Sequence, residues 1–222
     1  MATGTIFFDY DGTLHDSMQV YGPAFRKAVA WLESEGHIEH AEYEDDWISR
    51  WLGWTTEKMW TTFIPHLPEE IWRKAAQMIG TEMSSLSAQG AGALFEGVPN
   101  MLQTLKDEGY TIAFLSNCGT RYRDAHRGYY GLDRWIDIYH CAQDFPGLAK
   151  WEIYQQVCDD GKHPYPHLMV GDRFHDIEVA TKANIPSIGC RFGYGEPAEL
   201  DAATVCVDNP SEIPNAVKEL LS

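Results

Sequence analysis

Thr5-Ile6-Phe7-Phe8-Asp9-Tyr10-Asp11-Gly12-Thr13 decides the reading of this chain. Four β-prone apolar residues run straight into two aspartates and a glycine. Such a run reads as a buried strand, and the glycine marks its exit loop. In open α/β sheets, ligands bind beyond the carboxyl ends of the strands. Asp9 and Asp11 are therefore the first residues to test for chemistry.

The pattern changes on the far side of that loop. From Ser17 to Ala88 the apolar residues recur at helical spacing. Tyr21 to Glu35 carries Phe25, Ala28, Val29 and Leu32, and Glu44 to Leu52 carries Trp47, Ile48, Trp51 and Leu52. Thr55 to Phe63 and Glu69 to Leu86 continue it, punctuated by Pro65 and Pro68. The small residues of 88–93 read as a return hinge. Beyond them helices at Pro99–Glu108, Thr120–Tyr130, Lys150–Asp160, Asp176–Asn184 and Glu212–Leu221 alternate with strands. Those strands are expected at Thr111–Leu115, Ile138–Cys141, His167–Val170, Ser187–Cys190 and Val205–Val207. Alternation of this kind implies a parallel sheet covered on both faces. The fold class expected is α/β: a Rossmann-like parallel sheet core, residues 1–16 and 90–222, with an inserted all-helical cap domain, residues 17–89.

Composition narrows the function. Seventeen Lys and Arg against 33 Asp and Glu leave a net charge of -16. That surface repels nucleic acid backbones and anionic membranes, so neither is an expected partner. It also repels an anionic substrate, which then needs local cations or a metal. The five cysteines are scattered without C-x-x-C spacing, as expected of free thiols in a reducing compartment. No apolar run approaches the roughly 20 residues of a membrane span, and the first residues lack a signal-peptide pattern. A cytoplasmic protein is expected, as a monomer or a homodimer.

The other strand ends and one helix start supply the rest of a site. Ser116 and Asn117 end one strand, Asp172 ends another with Asp176 four residues on, and Lys150 opens a helix. A parallel sheet brings all of them to one crevice. A carboxylate is a competent nucleophile toward phosphorus. Attack on an anion needs neutralisation, which Mg²⁺ supplies with few protein oxygens. Asp9 and Asp172 offer two such oxygens, Lys150 a point charge, and Ser116 a hydroxyl donor. Asp11, two residues from the nucleophile, can protonate a leaving group and then activate water.

The whole constellation resembles the haloacid dehalogenase-like hydrolases, in their phosphoglycolate phosphatase and β-phosphoglucomutase-like branch with an α-helical cap. Asp9 to Ser17 matches the family's D-x-D-G-T-L-x-D-S motif, Ser116-Asn117 the second motif, Lys150 the third, and Gly171 to Asp176 its G-D-x-x-x-D. One departure is Trp151 after Lys150, where the family often has proline. The resemblance implies Asp9 as nucleophile and Asp11 as acid and base. It also implies Ser116, Asn117 and Lys150 around the phosphoryl group. Mg²⁺ would be held by Asp9, the Asp11 backbone carbonyl and Asp172, with Asp176 behind them. The activity implied is a phosphatase for a small phosphorylated metabolite. A sugar phosphomutase and a non-catalytic ligand-binding protein are the alternatives. Dehalogenation and phosphonate cleavage fit poorly, since those members lack the second aspartate.

Simpler roles account for other residues. Asp16 and Ser17 are of the helix-capping type, His15 and His175 are expected to pack or to lie at the surface, and the cap tryptophans are expected to fill a helical core. Trp54 differs. It lies in Leu52 to Glu57, where related enzymes have a substrate-contacting cap loop, so Arg50, Gly53 and Trp54 are expected to meet the substrate.

Overall fold

Strand β1 (Thr5–Phe8) lies in the middle of the main sheet of a computed structural model that describes residues 3–221. After it come β2 (His15–Asp16), β3 (Ala93–Leu94), β4 (Thr111–Ser116), β5 (Ile138–Cys141), β6 (His167–Gly171), β7 (Ser187–Cys190) and β8 (Val205–Val207). Six of these form one parallel sheet in the order β5-β4-β1-β6-β7-β8. The chain winds from β1 outward through β4 to β5, then returns to the other side of β1 at β6. Strand order reverses there, and the crevice past the ends of β4, β1 and β6 is where an α/β sheet binds ligands.

Both faces of the sheet are covered, which is why β1 reads as a continuous apolar run. Ile6, Phe8, Ile112 and Phe114 pack with Leu102 and Leu105 of α5 (Val98–Asp107) and Val217 of α9 (Ile213–Leu221). Phe7, Ala113 and Leu115 face the opposite way, toward Ile153 and Val157 of α7 (Lys150–Cys158) and Val179 of α8 (Phe174–Ala183). Helix α6 (Thr120–Tyr130) follows β4 and ends at Gly131, whose left-handed backbone (φ 61°) closes it.

The helical insertion is α1 (Met18–Ser34), α2 (Asp45–Ser49), α3 (Thr56–Phe63) and α4 (Glu69–Ala88). It has its own apolar cluster, in which Phe25, Ala28 and Leu32 of α1 meet Trp60 of α3 and Trp72, Ala75 and Ile79 of α4. Trp31, Trp47 and Trp54 only pack against its edge. The expected hinge is more ordered than its composition implies. His15 pairs with Leu94 and Asp16 with Ala93, so the chain entering the insertion and the chain leaving it form a short antiparallel ribbon. All five cysteines are free thiols. No helix among the described residues is long and apolar enough to cross a membrane.

Candidate active site

Asp9 continues β1, its amide donating to the Val170 carbonyl at 2.9 Å, so its carboxylate stands at the strand end. Asp172 follows β6 directly, and Asp176 lies in the first turn of α8. Lys150 is the first residue of α7, and its ammonium reaches into the same crevice, 2.8 Å from Asp9 Oδ1 and 2.7 Å from Asp176 Oδ1. All four are buried. Glycines permit this crowding: a Cβ on Gly12 would overlap the Asp172 carboxylate, and one on Gly171 would overlap Asp176.

Charge is unbalanced in this pocket. Asp9, Asp172 and Asp176 bring carboxylate oxygens within 4.8 Å of one another, with Lys150 as the ammonium among them. Burial, reinforced by the Asp176 charge and only partly offset by Lys150, pushes the Asp9 carboxyl up to about 7. Burial and the charges of Asp9 and Asp176 also hold Asp172 well above the usual carboxylate range. The Asp172 oxygens accept from the Tyr194 amide (2.7 Å) and the Thr13 hydroxyl (3.2 Å). Asp9 Oδ2 is buried and has no hydrogen-bond donor among the described residues. A hard divalent cation fits this set, because it is bound by carboxylate oxygens and cancels the surplus charge.

Asp11 occupies a different setting. Its Oδ1 accepts from the Ser17 hydroxyl at 2.5 Å and the Tyr122 hydroxyl at 2.9 Å. His15 Nδ1 lies 3.8 Å from the same oxygen and 2.8 Å from Ser17 Oγ. Burial raises the Asp11 carboxyl, but the polar groups of His15, Ser17 and Tyr122 outweigh it and hold the group below the usual carboxylate range. The network extends behind it. His15 stacks on Tyr10 (3° between planes), Tyr10 pairs with His126 (2.7 Å), and His126 pairs with Ser87 of α4 (2.8 Å).

Several expected roles change. Ser17 precedes α1 but does not cap it; its hydroxyl serves Asp11. Asp16 accepts from Tyr194 and Gln19 instead of the helix end. Of the two roles expected for His15 and His175, packing is the one found: His15 is fully buried beside Asp11 and stacks on Tyr10, and His175 sits edge-on to the Trp54 ring at 6.0 Å. Ser116 is buried at the end of β4. Asn117 turns its amide toward the insertion and donates to the Gly53 carbonyl at 2.8 Å. Arg50 does not line the cavity: its guanidinium lies over Trp47, 5.1 Å from the ring centroid.

Its backbone has a use that local sequence did not suggest. The buried Arg173 guanidinium, one residue after Asp172, donates to the carbonyls of Leu52 (2.6 Å) and Arg50 (3.1 Å) and pairs with Glu199 (3.0 Å). Arg173 and Asn117 thus tie the loop before Trp54 to the strand ends. Between them lies a cavity of about 470 Å³, with Asp11, Ser116 and Asn117 on the sheet side and Gly53, Trp54 and Trp60 among the residues opposite. Position alone offered a signal for Ser17, the last residue of the first motif, and for Arg173, inside the fourth. Nothing local pointed to Tyr122.

A model of the haloacid dehalogenase-like hydrolases matches residues 3–184. The chain is 25% identical over 197 residues to a phosphoglycolate phosphatase of Pasteurella multocida, covering 85% of this chain and 86% of that protein. It is 24% identical over 221 residues to a phosphoglycolate phosphatase of Synechococcus elongatus, covering 97% and 98%. Among solved structures, one described as a predicted phosphatase from Clostridium acetobutylicum superposes with a TM-score of 0.83 at 21% identity, over 99% of this chain and 100% of that one.

Proposed function

The chain belongs to the haloacid dehalogenase-like hydrolases, and on that premise we propose that it is a Mg²⁺-dependent phosphatase of a small phosphorylated metabolite, working through a phosphorylated Asp9. The observation that carries this reading is the Asp9 carboxylate. One oxygen is buried without a donor among the described residues, the other lies beside Lys150, and two more carboxylates converge on it.

In the first half-reaction an Asp9 oxygen bonds to phosphorus as the ester P–O bond breaks, and Asp11 delivers a proton to the departing oxygen. In the second, Asp11 takes a proton from water. The water oxygen attacks phosphorus, the Asp9–phosphorus bond breaks, and inorganic phosphate leaves. The hydrogen bonds that hold Asp11 as a carboxylate prepare it for the second half. Arrival of a phosphoryl dianion raises its proton affinity for the first. Lys150 and Ser116 hold phosphoryl oxygens. Mg²⁺ held by Asp9, Asp172 and the Asp11 carbonyl, with Asp176 beside them, would neutralise the nucleophile and the phosphoryl group. Residues 17–89 act as a cap that shields the reaction from bulk water.

The test is phosphate release from an aryl phosphate and a panel of metabolite esters. Turnover requires Mg²⁺, stops with EDTA, and falls by about 10⁴-fold or more in Asp9→Asn, with the fold retained by circular dichroism. Unchanged turnover in that variant removes Asp9 as nucleophile. Interconversion of sugar phosphate isomers without net release reassigns the enzyme as a mutase.

A further inference from the structure

The wall opposite the strand ends carries information that the chemistry does not. The cavity of about 470 Å³ lies in the range of roughly 300–1,000 Å³ that suits drug-sized ligands. A two-carbon acid fills little of it. Trp51, Trp54, Met59, Trp60, Ile79 and Met83 face it from the insertion. Among the described residues that line it there is no lysine and no histidine, and Arg121, the one arginine among them, is exposed at the start of α6.

Resting on the phosphatase reading, we infer that this cavity takes an uncharged, ring-bearing leaving group rather than a small carboxylic acid. Three observations converge. Indole faces and edges attract flat rings, whereas a carboxylate pressed against them is stripped of water with only a solvent-exposed arginine to offset the loss. The net charge of -16 disfavours every negative charge a substrate carries beyond its phosphoryl group. The remaining polar lining includes Gln77, Thr81 and Ser84, spaced so that they share one face of α4, and all are neutral. They suit ring heteroatoms and hydroxyls. The buried indole N–H groups of Trp51, Trp54 and Trp60 have no acceptor among the described residues, a state that buried donors rarely keep. Arg173 and Asn117 hold the loop that carries Trp51 and Trp54 in place before any substrate arrives, so little ordering is needed on binding.

A nucleoside monophosphate and a simple aryl phosphate share this chemistry, and the experiment separates them. Measure kcat/KM with Mg²⁺ for adenosine 5′-monophosphate, 1-naphthyl phosphate and 2-phosphoglycolate. Titrate the same three esters into Asp9→Asn, following tryptophan fluorescence, so that affinity is read even if turnover fails. At least one ring-bearing ester is expected to exceed phosphoglycolate by about tenfold or more. The nucleotide leads if the polar face of α4 takes part, the naphthyl ester if the apolar wall acts alone. Phosphoglycolate matching or exceeding both in affinity and turnover overturns the inference. Failure of all three to be hydrolysed, with the affinity order intact, counts against the phosphatase reading instead.

Gly80 provides a second test. It lies on the cavity wall in α4, and a Cβ there meets nothing within 4 Å. Gly80→Phe fills the cavity and improves helix propensity. It should lower the ratio of ring-bearing to small-acid affinity by about tenfold. An unaltered ratio, with the fold intact by circular dichroism, also overturns the inference.

Discussion

The charged cluster at the strand ends, which does not itself line the cavity, and the helical wall of the cavity obey different rules. On the sheet side, Asp9, Lys150, Asp172 and Asp176 are charged groups with 3% exposure or less, fixed by short contacts to one another and to backbone amides. On the helical side, Trp51, Trp54 and Trp60 touch neighbouring rings at 5.7 to 5.9 Å, in an environment set by bulk rather than by direction. A misplaced charge in the first changes electrostatic energy steeply, because burial weakens screening. A substitution on the second changes volume and shape. On the proposed function, chemistry and selectivity are separable by mutation, and the strongest tests strike one side while reading both.

The largest effect is expected at Lys150. Lys150→Met leaves the buried Asp9 and Asp176 carboxylates without the ammonium that bridges them. Removing one partner of such a cluster destabilises proteins by about 3–5 kcal/mol. Urea unfolding in EDTA should approach that loss, and Mg²⁺ should restore part of it. Turnover of an aryl phosphate should fall by about 10³-fold. Trp60→Ala strikes the helical wall. Trp60 is fully buried among the helices of the insertion, and its truncation should lower stability by about 3 kcal/mol. Turnover of the same ester should fall far less than in Lys150→Met. Equal losses of turnover in the two variants would erase the distinction between the two sides.

The strand-end cluster was also the more legible in sequence. β1 and its aspartates are contiguous, so periodicity and motif coincide. Helix α6 has the expected bounds, Thr120–Tyr130, because Gly119 and Gly131 bracket it. Legibility fails where a contact joins distant positions or where one residue type serves two roles. Tyr122 reaches Asp11 across 111 positions, and no local pattern encodes that. Ser17 has the composition of a cap, yet a nearby carboxylate is a stronger acceptor and takes its hydroxyl. The ribbon of β2 and β3 is two residues long per strand, too short for alternation to register. Arg50 looked like a binding side chain, while its carbonyl is what the fold uses.

The surplus charge of the strand-end cluster makes a pH prediction. Native Asp9 takes up a proton near 7, whereas the unfolded chain does so only near 3.8. Between those values the native state holds the extra proton, so the metal-free protein gains stability as pH falls through 7. Asp172, also raised, acts in the same direction. A divalent cation competes with those protons. Saturating Mg²⁺, about 100 times its Kd, should stabilise by about 2.7 kcal/mol at pH 8, and a fixed Mg²⁺ concentration should stabilise less at pH 6. Thermal unfolding at both pH values, with Mg²⁺ and with EDTA, reads this. A larger Mg²⁺ effect at pH 6 would refute charge crowding as the source of the site's affinity.

The smallest effect is expected where the cluster and the cavity meet through Asp11. Tyr122 donates one of the two hydroxyl hydrogen bonds to Asp11 Oδ1, and Ser17 donates the other. Tyr122→Phe deletes one donor and keeps the ring, so the contacts with Tyr10 and His126 survive. A hydrogen bond of this kind is worth about 1 kcal/mol, or about fivefold in rate. The lost donor favoured the ionised carboxylate, so the proton affinity of Asp11 rises. The acid limb of kcat should therefore move to higher pH if Asp11 acts as the base in dephosphorylation. Where Asp11 acts as the acid in the first half-reaction, the alkaline limb should move the same way, to higher pH. A purely structural role for Tyr122 lowers kcat at every pH by the same factor and leaves both limbs where they were.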